Sequence, residues 1–250
     1  MKVSIIIPVY NEARTVSELL QNVWEQPLEI EREIIIIESN SKDGSRELVN
    51  KFAEEKEKLV PGSVRVIFQD IPNGKGFAIR EGFNHASGDI ILIQDADLEY
   101  DVKDYPALLA PIIEGKTAFV LGSRHLSSND WKIRIFENAP IMSRFMNLGG
   151  ILFHAFFNTM FGVRLTDPTT MYKVFRRDCL THFNLSANRF DLDFELLGKL
   201  IRAGFIPIEI PISYQSRGFS EGKKIRIILD PLLYVRIILK TRFTPLKERK

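Results

Sequence analysis

The chain has 250 residues, of which 45% are hydrophobic, and its formal net charge is only +2. This length is sufficient for one large hydrophobic core, and the small net charge does not favour a nucleic-acid-binding protein. The single cysteine excludes an internal disulfide and fits a reducing compartment. The N-terminus does not resemble a signal peptide, and no apolar run reaches the roughly 20 residues of a membrane span.

Short apolar runs in the first hundred residues alternate with segments of helical periodicity. The runs predict strands at 3–8, 33–37, 63–68 and 90–94. The segments between them predict helices at 11–25, capped by Asn11, at 46–59 and at 75–86. Strands that are apolar on both faces and alternate with helices indicate an α/β fold, with a mostly parallel central sheet and helices on both faces.

The pattern changes after residue 100. We predict helices at 105–114, within 127–163, at 194–203 and at 224–242, and strands at 118–121, 171–176 and 206–214. Pro207 and Pro211 favour an edge position for the last strand, because proline cannot donate a hydrogen bond to a neighbouring strand.

Polar residues follow each of the first four predicted strands. Ligands of parallel sheets bind beyond the carboxyl ends of the strands, so these residues are the first candidates for a ligand site. They are Tyr10, Asn11 and Glu12, then Glu38 and Ser39, then Asp70, and finally Asp95 and Asp97.

Asp95 and Asp97 are one residue apart after a buried strand. Carboxylates in this arrangement can turn toward one cation, and oxygen ligands suit Mg²⁺ or Mn²⁺, which often bind one or two carboxylates together with substrate phosphates. The alternative is an acidic turn that caps the next helix, and the tripeptide alone does not decide between the two. An EF-hand is excluded because Tyr100 stands where that loop needs glycine.

The segment NGKG at 73–76 precedes a predicted helix. Its glycines would let the backbone approach a ligand, and a helix N-terminus beside Lys75 favours an anion, although a plain turn that starts the helix explains the segment equally well. It is not a Walker loop, since the required spacing of residues is absent. Further phosphate candidates are Arg124, Arg217, Lys223 and Lys224, and each taken singly is also typical of a solvated surface charge.

Two apolar segments lie in the second half of the chain. Residues 225–239 mix apolar side chains with Lys and Arg, which is typical both of a basic amphipathic helix on an anionic membrane surface and of a core helix with a charged outer face. Residues 145–161 favour a core or a dimer interface. His154 within them is interpreted as a packed histidine, because nothing nearby in the sequence supplies metal-ligand spacing.

Seven segments occur in order along the chain: SIIIPVYNE, EIIIIES, SKDGS, NGKGFAIREG, ASGDIILIQDADLEY, FVLGSR and LTDPTTMYKVFRRD. Together they resemble the inverting family 2 glycosyltransferases with the GT-A fold, and within these the dolichyl- or polyprenyl-phosphate mannose and glucose synthases. The resemblance covers residues 2–243. It implies a metal-dependent transfer of a hexose from a nucleotide sugar, of the GDP-mannose or UDP-glucose type, to polyprenyl phosphate.

The resemblance also implies roles for individual residues. Asp95 and Asp97 match the Asp-x-Asp motif for Mg²⁺ or Mn²⁺, and Glu99 stands at a position that often completes the metal site. The residues implied to bind the nucleotide sugar are Pro8, Tyr10, Glu12, Glu38, Asp70, Lys75, Asp95 and Lys223.

The remaining implied residues are basic. Arg124, with Arg134 or Arg144, would face the acceptor phosphate. Arg217 and Lys223 match a basic loop that closes over the diphosphate, so Asp97, Arg124 and Arg217 are predicted to act in catalysis.

The nature of the acceptor decides whether a general base is needed. An acceptor phosphate is already anionic and needs only positioning, whereas a hydroxyl of a saccharide needs a base within hydrogen-bond reach. Asp191, Asp193 and Glu195 are the candidates for such a base, and Glu195 is added to the predicted catalytic residues. The alternative for these residues is a helix cap followed by an exposed acidic turn.

Two departures from the resembled family stand out. The segment 38–41 reads Glu-Ser-Asn-Ser where the family commonly has Asp-Asp-Gly-Ser, which leaves GDP and UDP both open. The transmembrane helices that many lipid-phosphate members carry are absent. We therefore expect a cytoplasmic protein at the membrane periphery, with a homodimer or a membrane subunit as a possible partner.

The predicted organisation is one GT-A domain over residues 1–243, followed by a basic tail at 244–250. Residues 1–100 form its nucleotide-sugar half and 101–243 its acceptor half. Three other functions are disfavoured, and one of them is nucleic-acid binding by the basic tail, which no aromatic interleaving or nucleic-acid motif supports. A sugar-1-phosphate nucleotidyltransferase is disfavoured because no glycine-rich loop follows the first strand, and a non-catalytic nucleotide-sugar-binding module is disfavoured by the intact Asp95, Asp97 and Lys75.

Overall fold

The computed structural model describes residues 1–126, 140–216 and 229–247. The strands are β1 (Lys2–Val9), β2 (Glu31–Glu38), β3 (Val64–Phe68), β4 (Ile90–Ile93), β5 (Phe119–Ser123), β6 (Lys173–Arg176) and β7 (Ile208–Pro211). The α-helices are α1 (Val16–Glu25), α2 (Ser45–Leu59), α3 (Lys75–His85), α4 (Tyr105–Ile113), α5 (Pro140–Phe161), α6 (Leu192–Arg202) and α7 (Leu229–Phe243). Short 3₁₀ helices cover Val102–Asp104 and Arg177–His182.

The seven strands form one sheet in the order β3-β2-β1-β4-β6-β5-β7. All neighbouring pairs are parallel except those of β6, which runs antiparallel to β4 and to β5. The predicted α/β fold with a mostly parallel sheet is confirmed, and β7 is an edge strand as its prolines predict. The strand order reverses between β1 and β4, and open α/β sheets bind ligands at such a reversal.

The apolar runs became strands because they are covered on both faces. Residues 5–7 of β1, 34–37 of β2 and 90–93 of β4 are at most 1% exposed. A strand buried on both sides needs no polar alternation, which explains the continuous Ile and Leu of these segments. Helix α1 covers the sheet with one apolar face, formed by Val16, Leu19, Leu20 and Val23.

Most predicted boundaries agree with the structure to within two residues, but the start of α1 does not. The helix begins at Val16, and Asn11 is not its cap. Asn11 adopts a left-handed conformation with φ of +50°, and its Oδ1 accepts a hydrogen bond of 2.9 Å from the backbone N–H of Lys42. Asn11 therefore ties the loop after β1 to the loop after β2. The last strand is also shorter than predicted, and residues 127–139 and 224–228 of the predicted helices lie outside the described residues.

Helices α5, α6 and α7 pack together through aromatic side chains. The ring centroids of Phe153 and Phe194 are 4.9 Å apart, and the ring of Tyr234 lies 4.8 Å from that of Phe194. Phe157 is fully buried. The interpretation of residues 145–161 as a core segment is therefore confirmed for this inner face. Among the described residues, no helix combines the length and the apolarity needed to cross a membrane.

Candidate active site

Gln94 anchors the loop that leaves β4. Its Oε1 accepts hydrogen bonds from the hydroxyls of Tyr105 and Tyr172, each of 2.8 Å, and its Nε2 donates to the carbonyl oxygen of Asp95 at 2.9 Å. A buried amide with all of these partners fixes the direction in which the chain leaves the strand. Asp95 and Asp97 are thereby held at the carboxyl end of β4, where the strand order reverses.

A left-handed turn holds Asp97 next to Glu99. Leu98 between them has a φ of +61°, which is unusual for leucine and costs of order 1–3 kcal/mol. The turn lets the backbone N–H of Glu99 donate to Asp97 Oδ1 at 3.1 Å. Thr15 Oγ1, from the residue before α1, donates to the carbonyl oxygen of Ala96 at 2.7 Å and fixes the loop from the other side.

Lys75, at the first position of α3, forms a partly buried ion pair with Asp95. The Nζ atom lies 2.6 Å from Oδ1 and 2.7 Å from Oδ2. Burial by itself would lower the pKa of Lys75, but the negative charges of Asp95, Asp193 and Asp97 raise that pKa above its ordinary value. The ammonium group therefore stays charged at neutral pH inside the site.

The glycines of segment 73–76 have a packing role. A Cβ on Gly76 would lie 2.6 Å from the carbonyl oxygen of Arg189, and a Cβ on Gly74 would overlap the backbone of Asn188. Gly74 also has a φ of +99°, which side chains rarely allow. The expectation that these glycines also let the backbone approach a ligand stays a prediction. The absence of side chains at Gly74 and Gly76 lets the backbone of Asn188 and Arg189, which precede α6, pack closely against this segment.

The donor set at the end of β4 fits a hard divalent cation. Asp95, Asp97 and Glu99 offer carboxylate oxygens alone, which Mg²⁺ and Mn²⁺ prefer over nitrogen or sulfur. All three side chains are partly exposed, and Asp95 balances the positive charge of Lys75. The assignment of these three residues as metal ligands stays a prediction that this geometry supports.

The residues predicted to line a nucleotide pocket at the end of β1 lie beside this loop. Pro8 is partly buried and Tyr10 is exposed at the tip of the strand. The backbone N–H of Glu12 donates to Ser45 Oγ at 2.8 Å, so the start of α2 fixes the loop that carries Glu12. These three residues and the Asp95 loop share one edge of the sheet.

Glu38 and Asp70 lie at the ends of β2 and β3. The side chain of Glu38 is fully buried, and its carboxylate binds the guanidinium of Arg46 and accepts the backbone N–H of Ser41 at 2.7 Å. Asp70 is exposed, and its backbone carbonyl accepts a hydrogen bond from Asn40 Nδ2. The carboxylate of Glu38 thus shapes the turn after β2, and a contact of either residue with a nucleotide stays a prediction.

Arg124 at the end of β5 is buried against Asp167. Its Nε donates to Oδ2 at 2.6 Å and its Nη2 donates to Oδ1 at 2.7 Å, and the same Nη2 reaches Thr169 Oγ1 at 2.7 Å. Burial would lower the pKa of Arg124, but Asp167 raises it well above its ordinary value. Asp167 therefore orients the guanidinium, a role that the sequence did not reveal.

Tyr214 links Arg124 to the predicted metal site. Its ring lies 4.9 Å from the guanidinium carbon of Arg124, and its hydroxyl donates to Glu99 Oε2 at 2.7 Å. The predicted basic-loop residues Arg217 and Lys223 follow Tyr214 in the chain and lie outside the described residues, as does Arg134. The side chain of Arg144 is exposed.

The acidic residues of α6 differ in their surroundings. Asp193 is buried, 3.6 Å from the Nζ of the buried Lys173, and burial raises the pKa of Asp193. Glu195 is 1% exposed and accepts hydrogen bonds from the backbone N–H groups of Ser186 and Ala187 at 2.8 and 2.7 Å. The alternative of an exposed acidic turn is therefore wrong for these two residues. A role of Glu195 as a base remains a prediction, and its hydrogen bonds are those of a carboxylate that holds a loop.

Two histidines and a carboxylate meet next to Arg124. The ligand-type atoms of His125, His154 and Asp167 all lie within 4.8 Å of one another. His154 Nε2 is 3.2 Å from Thr169 Oγ1, and burial lowers the pKa of His125. Nothing near His154 in the sequence supplies metal-ligand spacing, but the fold brings His125 and Asp167 next to it.

The comparisons with known proteins agree with this geometry. Residues 4–181 match the model of the family "Glycosyl transferase family 2". The chain belongs to glycosyl transferase family 2. It is 27% identical to the dolichol-phosphate mannosyltransferase of Pyrococcus furiosus over 96% of this chain and 64% of that protein. It is 28% identical to the undecaprenyl-phosphate 4-deoxy-4-formamido-L-arabinose transferase of Proteus mirabilis over 93% of this chain and 66% of that protein.

The chain thus spans about two thirds of the length of these two relatives. Among solved structures it is similar to glucosyl-3-phosphoglycerate synthase from Mycobacterium tuberculosis in complex with UDP, with a TM-score of 0.66. That match has 18% sequence identity and covers 98% of this chain and 81% of the other. The chain is therefore a family 2 glycosyltransferase with the GT-A fold. The family match favours a glycosyltransferase over the nucleotidyltransferase and the non-catalytic binding module.

Proposed function

We propose that this glycosyltransferase moves a hexose, with inversion, from a nucleotide diphosphate sugar to polyprenyl phosphate. The observation that carries the proposal is the ion pair of Lys75 with Asp95 at the reversal of strand order, on a loop that also carries Asp97 and Glu99. Two relatives whose names specify dolichol phosphate and undecaprenyl phosphate support the choice of acceptor.

The donor is bound across the ends of β1 and β4. Pro8, Tyr10 and Glu12 would contact the nucleoside, and Lys75 would reach the diphosphate, with Arg217 and Lys223 as further contacts. Solved structures of glucosyl-3-phosphoglycerate synthase with UDP and either Mn²⁺ or Mg²⁺ support a site for a metal–nucleotide complex in this fold.

The chemistry requires that the leaving diphosphate be neutralised. When bound at Asp95, Asp97 and Glu99, Mg²⁺ or Mn²⁺ supplies positive charge to that leaving group. Lys75 would add a second positive charge beside Asp95. Arg124, held by Asp167, would orient an acceptor phosphate whose oxygen is already anionic, so attack on the face opposite the leaving group needs positioning and no general base.

A hydroxyl acceptor is the second candidate, and the surroundings of Asp193 favour it to a limited extent. A general base works best with a pKa shifted toward neutrality, and burial raises the pKa of Asp193. This carboxyl group also lies near Lys173 and Lys75, which oppose the shift. We therefore place the phosphate acceptor first.

Docking of the enzyme at the cytoplasmic membrane surface is part of the proposal. The outer face of α7 exposes large apolar side chains at positions that repeat with helical spacing, and exposed cations lie among them. A mixed face of this kind favours an anionic lipid surface, with each nearby cation adding about 1 kcal/mol. The apolar residues are Leu232, Val235, Leu239 and Phe243, and the cations are Arg236, Lys240 and Arg242.

Donor binding and transfer can be tested separately. Thermal unfolding with GDP, UDP and their sugars, with and without Mn²⁺, should single out one donor, which at 100 times its Kd stabilises the protein by about 2.7 kcal/mol. Asp97→Asn should remove the Mn²⁺-dependent part of that gain. Asp178→Asn, at an exposed surface ion pair, is the matched control and should leave the gain intact.

Transfer is then measured with the selected radiolabelled donor on polyprenyl phosphate and on polyprenol in vesicles. Labelled product on the phosphate alone supports the proposal. Product on polyprenol or on a saccharide but not on the phosphate would reassign the acceptor, and a metal-dependent gain that survives in Asp97→Asn would overturn the metal site.

A further inference from the structure

His125, His154 and Asp167 converge from three separate parts of the chain. His125 follows β5, His154 lies within α5, and Asp167 lies in the loop between α5 and β6. The imidazole rings of the two histidines are 5.4 Å apart and nearly perpendicular, and His154 Nε2 lies 4.0 Å from Asp167 Oδ1. Three groups that can bind a metal ion therefore share one small region.

One polar atom of these three residues lacks a hydrogen-bond partner in the described part of the chain. Among the described residues, His125 Nε2 is buried and has no hydrogen-bond partner. A buried polar atom without a partner costs about 1–3 kcal/mol, so native structures rarely keep one unless an ion or water satisfies it. One ring nitrogen of the same histidine belongs to the group of ligand-type atoms that lie within 4.8 Å of one another.

We propose that His125, His154 and Asp167 bind a divalent transition-metal ion of the Zn²⁺ class, at a site distinct from the carboxylates of Asp95, Asp97 and Glu99. Two imidazole nitrogens and one carboxylate oxygen suit Zn²⁺, Co²⁺ or Ni²⁺, whereas Mg²⁺ and Mn²⁺ prefer oxygen alone. The two sites would then select different cations, because one offers nitrogen ligands and the other offers only oxygen.

The geometry requires a small closure of the side chains. Zn–N and Zn–O bonds of about 2.1 Å place tetrahedral ligand atoms about 3.4 Å apart, so a pair at the 4.8 Å limit of the cluster would close by about 1.4 Å. Thr169 allows this change, because its hydroxyl hydrogen-bonds both Asp167 Oδ1 and His154 Nε2 and can rotate away. The ion would join β5, α5 and the loop that carries Asp167.

The local charge is compatible with a bound cation. Asp167 is the partner of Arg124, so the ion shares this carboxylate with a guanidinium. A second carboxylate, that of Glu209, accepts the backbone N–H of Asp167 at 3.1 Å and adds negative charge beside the cluster. The ion would also restrict the movement of the Asp167 carboxylate and, through it, the orientation of the Arg124 guanidinium.

The test uses Co²⁺ and Zn²⁺ on the metal-free full chain. Co²⁺ should give the intense visible absorption of tetrahedral coordination, and Zn²⁺ should abolish that absorption at one equivalent while excess Mg²⁺ does not. His125→Gln and His154→Gln should each weaken Zn²⁺ binding, measured against a chromophoric chelator, by at least about a hundredfold. Circular dichroism reports whether each variant folds.

The chain supplies its own controls. His85→Gln and His182→Gln remove the two remaining histidines and should leave Zn²⁺ binding unchanged, and Asp97→Asn should leave it unchanged as well. Equal Zn²⁺ affinity in the wild type and in a folded His125 or His154 variant would overturn the proposal. Loss of the Co²⁺ absorption in Asp97→Asn would overturn it too, since the ion would then occupy the acidic site. Because these readouts require no turnover, they are independent of the donor and acceptor assays.

Discussion

The ammonium group of Lys75 contacts both carboxylate oxygens of Asp95, at 2.6 and 2.7 Å. The lysine thus occupies one side of a carboxylate that is also predicted to bind a metal ion. In this arrangement Lys75 balances the negative charge of the site when no cation is present. A bound metal–diphosphate complex would offer Lys75 new anionic partners and so release Asp95.

Replacement of Lys75 by methionine separates its competition with a metal ion for Asp95 from its contact with the diphosphate. Without the competing ammonium, Lys75→Met should bind Mn²⁺ about tenfold more tightly in the absence of nucleotide, a change of about 1.4 kcal/mol. Turnover should fall by at least about a hundredfold, because the charge that faces the diphosphate is lost. Mn²⁺ electron paramagnetic resonance measures the first quantity. Lys42→Met at an exposed site is the control, and an unchanged Mn²⁺ affinity in Lys75→Met would contradict the idea of competition.

The hydroxyl of Tyr214 is predicted to orient Glu99 for metal binding. Tyr214→Phe removes the 2.7 Å hydrogen bond to Glu99 Oε2, and second-sphere losses of this kind typically weaken metal binding by about 10–100-fold. Tyr100→Phe is the matched control, since the Tyr100 hydroxyl accepts the backbone N–H of Met171 and does not bond Glu99 in the described contacts. Equal Mn²⁺ affinity in both variants would assign Tyr214 a purely structural role.

The sequence predicted the sheet and the acidic loop because both are local signals. A continuous apolar run such as residues 34–37 identifies a doubly covered strand without knowledge of its neighbours, and Asp95 and Asp97 are close in space because they are close in the chain. Parallel strands bring their carboxyl ends to one edge, which is enough to place Tyr10 beside them.

The features that the sequence did not predict depend on contacts between distant segments. Asparagine often caps helices, but a hydrogen bond from the backbone N–H of Lys42 holds Asn11 in a loop, where it adopts a left-handed conformation. His125, His154 and Asp167 carry no sequence spacing that signals a site, because separate elements bring them together. The hydrogen bond from Tyr214 to Glu99 is hidden for the same reason.

Gly76 is expected to be essential for the packing of α3 against the chain before α6. In Gly76→Ala the new Cβ would lie 2.6 Å from the carbonyl oxygen of Arg189 and 2.8 Å from Leu192 Cβ, so we expect a loss of about 1–3 kcal/mol in the free energy of unfolding. Urea denaturation gives this value. Gly149→Ala on α5 meets no atom of the described residues within 4 Å and should instead gain about 0.5–1 kcal/mol. Equal effects of the two substitutions would refute the packing argument.

Glu33 should make the stability of the protein depend on pH in the acid range. Burial alone would raise the pKa of Glu33, but hydrogen bonds from Ser4, Lys2 and Ser87 lower that pKa to about 2. The unfolded chain therefore binds more protons than the folded one as pH falls from about 4.5 to about 2, and the stabilisation that is complete above this window is lost through it. Denaturant midpoints measured across these pH values should show a slope that is reduced in Glu33→Gln. Glu31→Gln, at an exposed position of the same strand, should keep the full slope.

Glu195 offers a direct test between a base and a structural carboxylate. Its oxygens accept the backbone N–H groups of Ser186 and Ala187, and Lys199 Nζ lies 2.6 Å from Oε1. Glu195→Gln removes the charge and replaces one acceptor oxygen by an amide donor, so we expect a loss of about 1–3 kcal/mol in stability with a nearly unchanged kcat at a temperature where the variant is folded. A general base would behave in the opposite way, with a kcat lower by about 10²–10⁴-fold and little change in unfolding. Asp193→Asn, measured in the same assays, reports on the other buried carboxylate of α6.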